Sequence, residues 1–91
     1  MVAGLTPHRH DAGVKVLFFA QLREVTGMAE AEVAADGVDA AGLWKILSGR
    51  WPRLSAHRGN TRLARNGAYA AEGEVFAAGD EVALIPPVSG G

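Results

Sequence analysis

The alternation of apolar and polar residues divides the chain into short strands around one helix. Residues 14–20, VKVLFFA, are rich in β-branched and aromatic side chains, which predicts a first strand. Residues 29–34 alternate glutamate with alanine and valine, which predicts a second, half-exposed strand. A turn of helix at residues 21–26, ending at Gly27, would join the two strands into a hairpin with a long connection.

One amphipathic helix follows the hairpin. Asp36 and Asp39 both precede an apolar pattern, so either one could be its N-cap. The apolar positions then recur at i, i+3 and i+4 spacing, which indicates a single buried helix face. This face comprises Ala40, Leu43, Ile46 and Leu47, and Trp44 and Trp51 flank it as expected core residues. Gly49 and Pro52 predict the end of the helix, because the residue before a proline avoids helical ψ.

The last third of the chain predicts three more strands. Residues 53–60 are polar and predict a loop, and residues 61–65 predict a strand. Asn66-Gly67 is a strong hairpin-turn signal, because both residue types tolerate positive φ, and residues 68–70 would pair back. After a glycine-containing connection, residues 81–85, EVALI, predict the final strand.

The order of elements is β-β-α-β-(β)-β, which predicts an α+β fold. A single amphipathic helix must be covered by the sheet around it. The first and last strands are the most apolar on both faces, so we expect them side by side in the centre. This arrangement is the β-grasp, or ubiquitin-like, architecture. We expect a β-grasp domain at residues 14–85, a flexible leader at residues 1–13 and a mobile tail at residues 86–91.

Composition narrows the function. A chain of 91 residues forms one domain and leaves little room for a catalytic cavity, which favours a carrier, binding module or subunit over a self-sufficient enzyme. A net charge of −1 without a basic block argues against nucleic acid. The absence of cysteine excludes disulfides and a cysteine nucleophile. We predict no metal site, since two histidines, His8 and His10, around Arg9 make only a weak metal signal.

Two kinds of segment that the sequence lacks, a membrane helix and a secretory signal, bear on the expected cellular location. No apolar run approaches the roughly 20 residues of a membrane helix. The N-terminus has no apolar core of a secretory signal. We therefore expect a cytoplasmic protein that does not bind membranes.

The C-terminal tail is the candidate reactive element. It consists of Pro86, Pro87, Val88, Ser89, Gly90 and Gly91. The prolines end strand pairing and hold the exit extended. Six extended residues reach about 20 Å, far enough to enter a partner's active site. Since glycine has no Cβ, the Gly91 carboxylate is unhindered and could attack the α-phosphate of ATP to form an acyl-adenylate. The alternative is a frayed terminus with a chance Gly-Gly pair.

Apolar residues outside the predicted core suggest a docking surface. Leu17 and Phe19 share a strand face with Lys15, whose charge indicates that this face is partly exposed to solvent. Such residues either dock a partner or lie under a loop. The candidate contacts are Leu17, Phe19 and Leu84, together with Pro86 and Pro87.

Two segments carry a family resemblance. Residues 79–91, GDEVALIPPVSGG, and residues 15–24, KVLFFAQLRE, resemble the molybdopterin synthase small subunit family of sulfur carriers. Asn66-Gly67 matches an Asn-containing turn common in that family, whereas Arg65 replaces a small apolar residue. The resemblance covers residues 14–91 and the tail motif is its specific part.

The resemblance implies a cycle. An E1-like, ATP-using enzyme would adenylate Gly91, which then becomes a thiocarboxylate. The carrier would dock on the large synthase subunit, in a heterotetramer, and donate sulfur to cyclic pyranopterin monophosphate. The large subunit would supply the catalytic residues, so this chain would bind no cofactor and would not be an enzyme by itself.

Three alternatives stay open. A carrier for the thiamine thiazole also ends in Gly-Gly, although residues 86–89 favour the molybdopterin branch. A ubiquitin-like modifier would join lysines through Gly91. A plain β-grasp interaction domain would have an inert tail.

Overall fold

A five-stranded mixed sheet forms the framework in a computed structural model that describes residues 13–87. The strands are β1 (Val14–Phe18), β2 (Glu30–Val33), β3 (Arg62–Arg65), β4 (Ala68–Tyr69) and β5 (Glu81–Ile85). Their spatial order is β2-β1-β5-β3-β4, with β1 and β5 parallel and every other pair antiparallel. The predicted β-grasp fold is confirmed, including the central position of the first and last strands.

A short helix connects the first two strands, as predicted. This helix, α1, spans Gln21–Thr26 and ends at Gly27, whose φ of 79° lies in the left-handed region that glycine adopts without a steric penalty. The Gly27 N–H donates a hydrogen bond to the carbonyl oxygen of Arg23 at 2.8 Å. The first strand is shorter than the predicted residues 14–20 because the chain already turns toward α1 at Ala20.

The main helix, α2, spans Ala40–Arg50 and packs one face against the sheet. Asp39 is its N-cap and accepts a hydrogen bond from the Gly42 N–H at 2.9 Å, whereas Asp36 accepts from the Ala78 N–H instead. The buried face comprises Leu43, Trp44 and Leu47, with Ile46 half-buried and Ala40 exposed at the first turn. The prediction that Ala40 belongs to the buried face is therefore wrong, because the buried residues of α2 begin only at Leu43.

The chain leaves α2 differently from the prediction. Gly49 does not end the helix, which continues to Arg50 and stops ahead of Pro52. The predicted loop at residues 53–60 is a 3-10 helix, Pro52–Asn60. Pro52 favours its start because the missing N–H is not needed there, and the buried Leu54 anchors it to the core. A single apolar residue in a polar segment was too weak a pattern to predict this helix.

The turn between β3 and β4 agrees with the prediction. Asn66 and Gly67 have φ values of 49° and 92°, so both lie in the left-handed region required by the two-residue hairpin turn. The strands β3 and β4 pair through Ala64 opposite Tyr69. The sequence signal was specific because few residue pairs tolerate this backbone conformation.

The core lies between α2 and one face of the sheet. Its sheet side is formed by Val14, Val16, Phe18, Val82 and Leu84, and its helix side by Leu43, Trp44 and Leu47. Leu22, Leu54 and Phe76 close the ends. Trp51 packs edge-to-face on Phe18 with ring centroids 5.1 Å apart, which confirms a core role for Trp51.

We expect Leu47→Ala to lower the free energy of unfolding by about 2–5 kcal/mol, because the fully buried side chain leaves a cavity. Lys45→Ala, at an exposed position of the same helix, should change it by less than about 0.5 kcal/mol. Urea denaturation followed by circular dichroism measures both. Equal losses for the two variants would contradict the assigned core.

Candidate functional site

The tail leaves the domain from the centre of the sheet. Because β1 and β5 are parallel, both strands finish at the same end of the sheet. The last residue of β5, Ile85, pairs with Arg62 at the start of β3. Pro86 is half-buried and Pro87 exposed, and since neither has an N–H, strand pairing cannot continue. Both prolines follow β5 directly, and their role in holding the exit extended stays a prediction.

The rest of the predicted tail lies outside the described residues. This applies to Val88, Ser89, Gly90 and Gly91, and to the leader at residues 1–12 with His8, Arg9 and His10. The division into leader, domain and mobile tail therefore stays a prediction. The geometry that can be described is that of the base from which the tail starts.

One face of the sheet is not covered by α2, and we call it the open face. Its apolar centre consists of Leu17 on β1 and of Ala83 and Ile85 on β5, all half-buried. Phe19 follows β1 directly and is 41% exposed. Leu17 and Phe19 therefore remain candidates for docking, and they lie beside the end of the sheet from which the tail leaves.

Leu84 does not belong to this surface, so its predicted docking role is wrong. Its side chain is fully buried, since it pairs in register with Phe18 and Leu63 on the face that α2 covers. The neighbouring positions Ala83 and Ile85 alternate to the open face instead. The period-two pattern of β5 separated these two sets, but it did not show which set the helix covers.

Charged side chains border the open face at both ends. Near the start of β1, Lys15 lies 3.8 Å from a carboxylate oxygen of Glu30 and 4.0 Å from one of Glu81. These groups are about half exposed, so each pair contributes little stability. At the tail end, the Arg62 guanidinium lies 4.1 Å from the ring centroid of Tyr69. The sequence does not single out Arg62 and Tyr69, because no local pattern joins positions on different strands.

A polar network anchors the start of β5. Asp80 accepts hydrogen bonds from Arg65 Nε at 2.9 Å, from Asn66 Nδ2 at 3.1 Å and from the Ala77 N–H at 2.8 Å. Arg65 also donates to Glu74 at 2.6 Å. The network joins the β3–β4 turn to the loop before β5. It accounts for a charged Arg65 where the family resemblance leads one to expect a small apolar residue.

This network lowers the pKa of the two carboxyl groups in it, those of Glu74 and Asp80. The hydrogen bond from Arg65 and a second one from the Ala71 N–H lower the pKa of Glu74. The Ala77 N–H, the Asn66 amide and then Arg65 lower the pKa of Asp80. Each donor stabilises the charged carboxylate, so both groups stay ionised to lower pH than in the unfolded chain.

A shallow groove of about 470 Å³ lies at the start of β1, away from the tail exit. It is lined by Gly13, Lys15, Glu30, Ala31, Glu32, Gly79 and Asp80. Its single cation is already paired with Glu30. In residues 13–87 no group of three or more His, Cys, Asp or Glu side chains could hold a metal ion. Over the same range, no helix has the length and apolar character needed to cross a membrane.

The fold agrees with comparisons against known proteins. A family model described as the ThiS family matches residues 16–91. The chain belongs to the ThiS family. The matched residues include the whole predicted tail, so the resemblance seen at residues 79–91 is confirmed.

Relatives of this ThiS-family chain include sulfur carriers and a protein modifier. It is 41% identical over 81 residues to the molybdopterin synthase sulfur carrier subunit of Escherichia coli, covering 86% of this chain and 99% of that protein. The crystal structure of small archaeal modifier protein 1 from Haloferax volcanii aligns with a TM-score of 0.74 at 36% identity, covering 85% and 99% of the two chains.

A complex is also similar. One chain in the complex of subunits 1 and 2 of the molybdopterin-converting factor from Helicobacter pylori aligns with a TM-score of 0.65. The identity is 26%, and the alignment covers 87% of this chain and 99% of that one.

We expect Asp80→Asn to lower the urea midpoint at pH 7, because the amide cannot accept all three donors as a carboxylate does. The folded-state pKa of Asp80 is depressed, so its stabilisation is complete above the unfolded pKa, near about 4, and is lost as pH falls through the folded pKa. The two midpoints should therefore approach each other as the pH falls below the unfolded pKa and through the folded one.

Glu72→Gln is the matched control, since Glu72 is exposed in the same loop and forms no salt bridge within residues 13–87. It should leave the pH profile unchanged. A difference between wild type and Asp80→Asn that stayed constant from pH 7 to about pH 2.5 would refute the assigned linkage.

Proposed function

We propose that this chain is a sulfur carrier for molybdopterin synthesis and that Gly91 bears the sulfur. The observation that carries the proposal is a central strand, β5, that runs into Pro86-Pro87 and then toward a Gly-Gly end. The similarity to a molybdopterin synthase sulfur carrier subunit over 86% of the chain supports it. The domain acts as a rigid base, and the tail presents the reacting group.

Activation requires a partner that binds ATP. A Gly91 carboxylate oxygen attacks the α-phosphorus of ATP, pyrophosphate leaves, and an acyl-adenylate forms. Hydrosulfide, or sulfur delivered at that oxidation level, then attacks the carbonyl carbon and AMP leaves, which makes the thiocarboxylate. The last two residues lack a Cβ, so a narrow channel can admit them. An E1-like adenylating enzyme fits this chemistry, and the carrier binds no cofactor itself.

Delivery requires a second partner. The thiocarboxylate of Gly91 enters the large synthase subunit, where its sulfur is transferred to cyclic pyranopterin monophosphate. The structural similarity to a chain in a complex of subunits 1 and 2 of a molybdopterin-converting factor supports such a pairing, which we place in a heterotetramer. The large subunit supplies the catalytic groups, so the carrier is a sulfur-donating subunit and not an enzyme. A cytoplasmic location stays a prediction.

The open face is the proposed docking surface for the large subunit. It combines an apolar centre with a charged border, which is the usual composition of an interface. It also lies beside the tail exit, so a partner bound there can receive the tail directly. Ile85 replaces the buried Leu84 among the proposed contacts with Leu17 and Phe19.

A second candidate function is that of a ubiquitin-like protein modifier. The similarity to small archaeal modifier protein 1 favours it specifically. Both functions begin with the same adenylation of Gly91 and differ in the nucleophile, which is sulfur for the carrier and a lysine amine for the modifier. Conjugates of higher mass in cell extracts would distinguish the modifier.

We expect intact-mass spectrometry of the native protein from cells that make the cofactor to show one oxygen replaced by sulfur at Gly91. Deleting Gly91 should abolish sulfur transfer while the melting temperature stays unchanged, because the tail lies beyond the paired strands. A carboxylate form alone, or sulfur transfer that survives the deletion, would contradict the proposed carrier function.

We expect Phe19→Ala to weaken binding to the large subunit about tenfold, since a central aromatic contact can contribute 1–2 kcal/mol or more. The matched control is Val75→Ala, an exposed apolar residue in the loop before β5, which should leave affinity unchanged. Isothermal titration calorimetry measures both. An unaltered affinity for Phe19→Ala would remove Phe19 from the interface.

A further inference from the structure

The position of Arg62 at the base of the tail determines which part of a bound partner it faces. Arg62 pairs in register with Ile85, the last residue of β5, so its backbone lies directly beside the point where the tail begins. Its guanidinium lies over Tyr69 on the next strand, β4, at the same end of the open face. Any partner that takes up residues 86–91 must surround that point with the rim of its channel. Arg62 then faces this rim whichever partner is bound.

Arg62 is held in place without being neutralised. Its guanidinium lies over the ring of Tyr69 at 4.1 Å, a cation–π contact that reduces its freedom. Within residues 13–87 it forms no salt bridge. Stacking uses the flat face of the guanidinium, so N–H groups at its edge stay available for a carboxylate. Arg62 is thus a preordered cation.

The charges around Arg62 favour a negatively charged group on the partner. Residues 40–65 contain six Lys or Arg and no Asp or Glu, so its own stretch of chain offers no counter-charge. Arg58, in the last turn of the 3-10 helix before β3, is also exposed and has no salt bridge within the described residues. Among the acidic side chains of the open face, Glu81 and Glu32 pair in register with Lys15 at its opposite end. Glu30, on the edge strand β2, pairs with Leu17 and lies three strands away from Arg62 on β3. The open face is therefore cationic at the tail exit and acidic far from it.

We propose that Arg62 binds a carboxylate on the rim of the channel that receives the tail, and so sets the orientation in which the open face docks. The inference rests on the proposed carrier function, because it requires a partner that admits the tail. It adds the chemistry of that partner, namely an acidic group at the channel mouth.

The length of the tail argues against a nucleotide or pterin phosphate as the anion. A segment of six residues can span up to about 20 Å, so Gly91 can react far from Ile85. The reacting phosphate lies near Gly91, whereas Arg62 lies beside Ile85. The anion that reaches Arg62 therefore belongs to the partner protein. Arginine suits this role because its planar fork binds a carboxylate through two parallel hydrogen bonds.

The test measures binding of the purified carrier to the large synthase subunit and to the adenylating enzyme of the same organism, in a salt series. Arg62→Glu should weaken both affinities about tenfold at roughly 0.1 M salt, with a smaller difference at about 1 M. Arg62→Gln should show an intermediate loss. Lys45→Glu makes the same charge change on α2, on the other side of the sheet, and should bind as wild type.

The outcomes separate the two proposals. Wild-type affinity for Arg62→Glu toward both partners, with an unchanged melting temperature, overturns the role of Arg62. An equal loss for Lys45→Glu also overturns it, because net charge would then explain the effect. If Arg62→Glu melts early, Arg62→Gln decides in its place. If the wild type binds neither partner and no sulfur reaches Gly91, the carrier function itself fails and the role of Arg62 fails with it.

Discussion

The parallel pairing of β1 with β5 is the contact on which the rest of the structure depends. It joins residues 14–18 to residues 81–85, which are separated in the chain by both α-helices and the other three strands. The pairing places two strands that are apolar on both faces in the centre of the sheet. One of their faces becomes the sheet side of the core, and the other becomes the open face.

The same pairing determines the point at which the chain leaves the sheet after β5. Parallel strands finish at the same end of a sheet, so the chain leaves β5 beside Phe19 and opposite Arg62. At the other end of β5, Asp80 and its donors fix the start of the strand. The strand is thus held at its beginning and covered by α2 on one side. Pro86 and Pro87 therefore follow a strand that is anchored at its start and buried on one face.

The sequence predicted most elements because their signals are local. Alternation predicted the strands, and the i, i+3, i+4 pattern with Asp39 predicted α2. Asn66-Gly67 predicted a turn that requires positive φ at both positions. The 3-10 helix at Pro52–Asn60 was not predictable, because the buried Leu54 is its only strong apolar signal. Arg65 was likewise understood only when the fold brought Glu74 and Asp80 to it.

The sequence by itself determined the order of elements, the central position of the first and last strands, and the stop in strand pairing at Pro86-Pro87 before a glycine end. Only the tertiary structure decided which face of β5 is covered, and so exchanged Leu84 for Ile85 at the surface. It also decided the contact of Arg62 with Tyr69. The physical reason is that periodicity reports how side chains alternate along one strand. Which side is buried depends on where a distant helix packs.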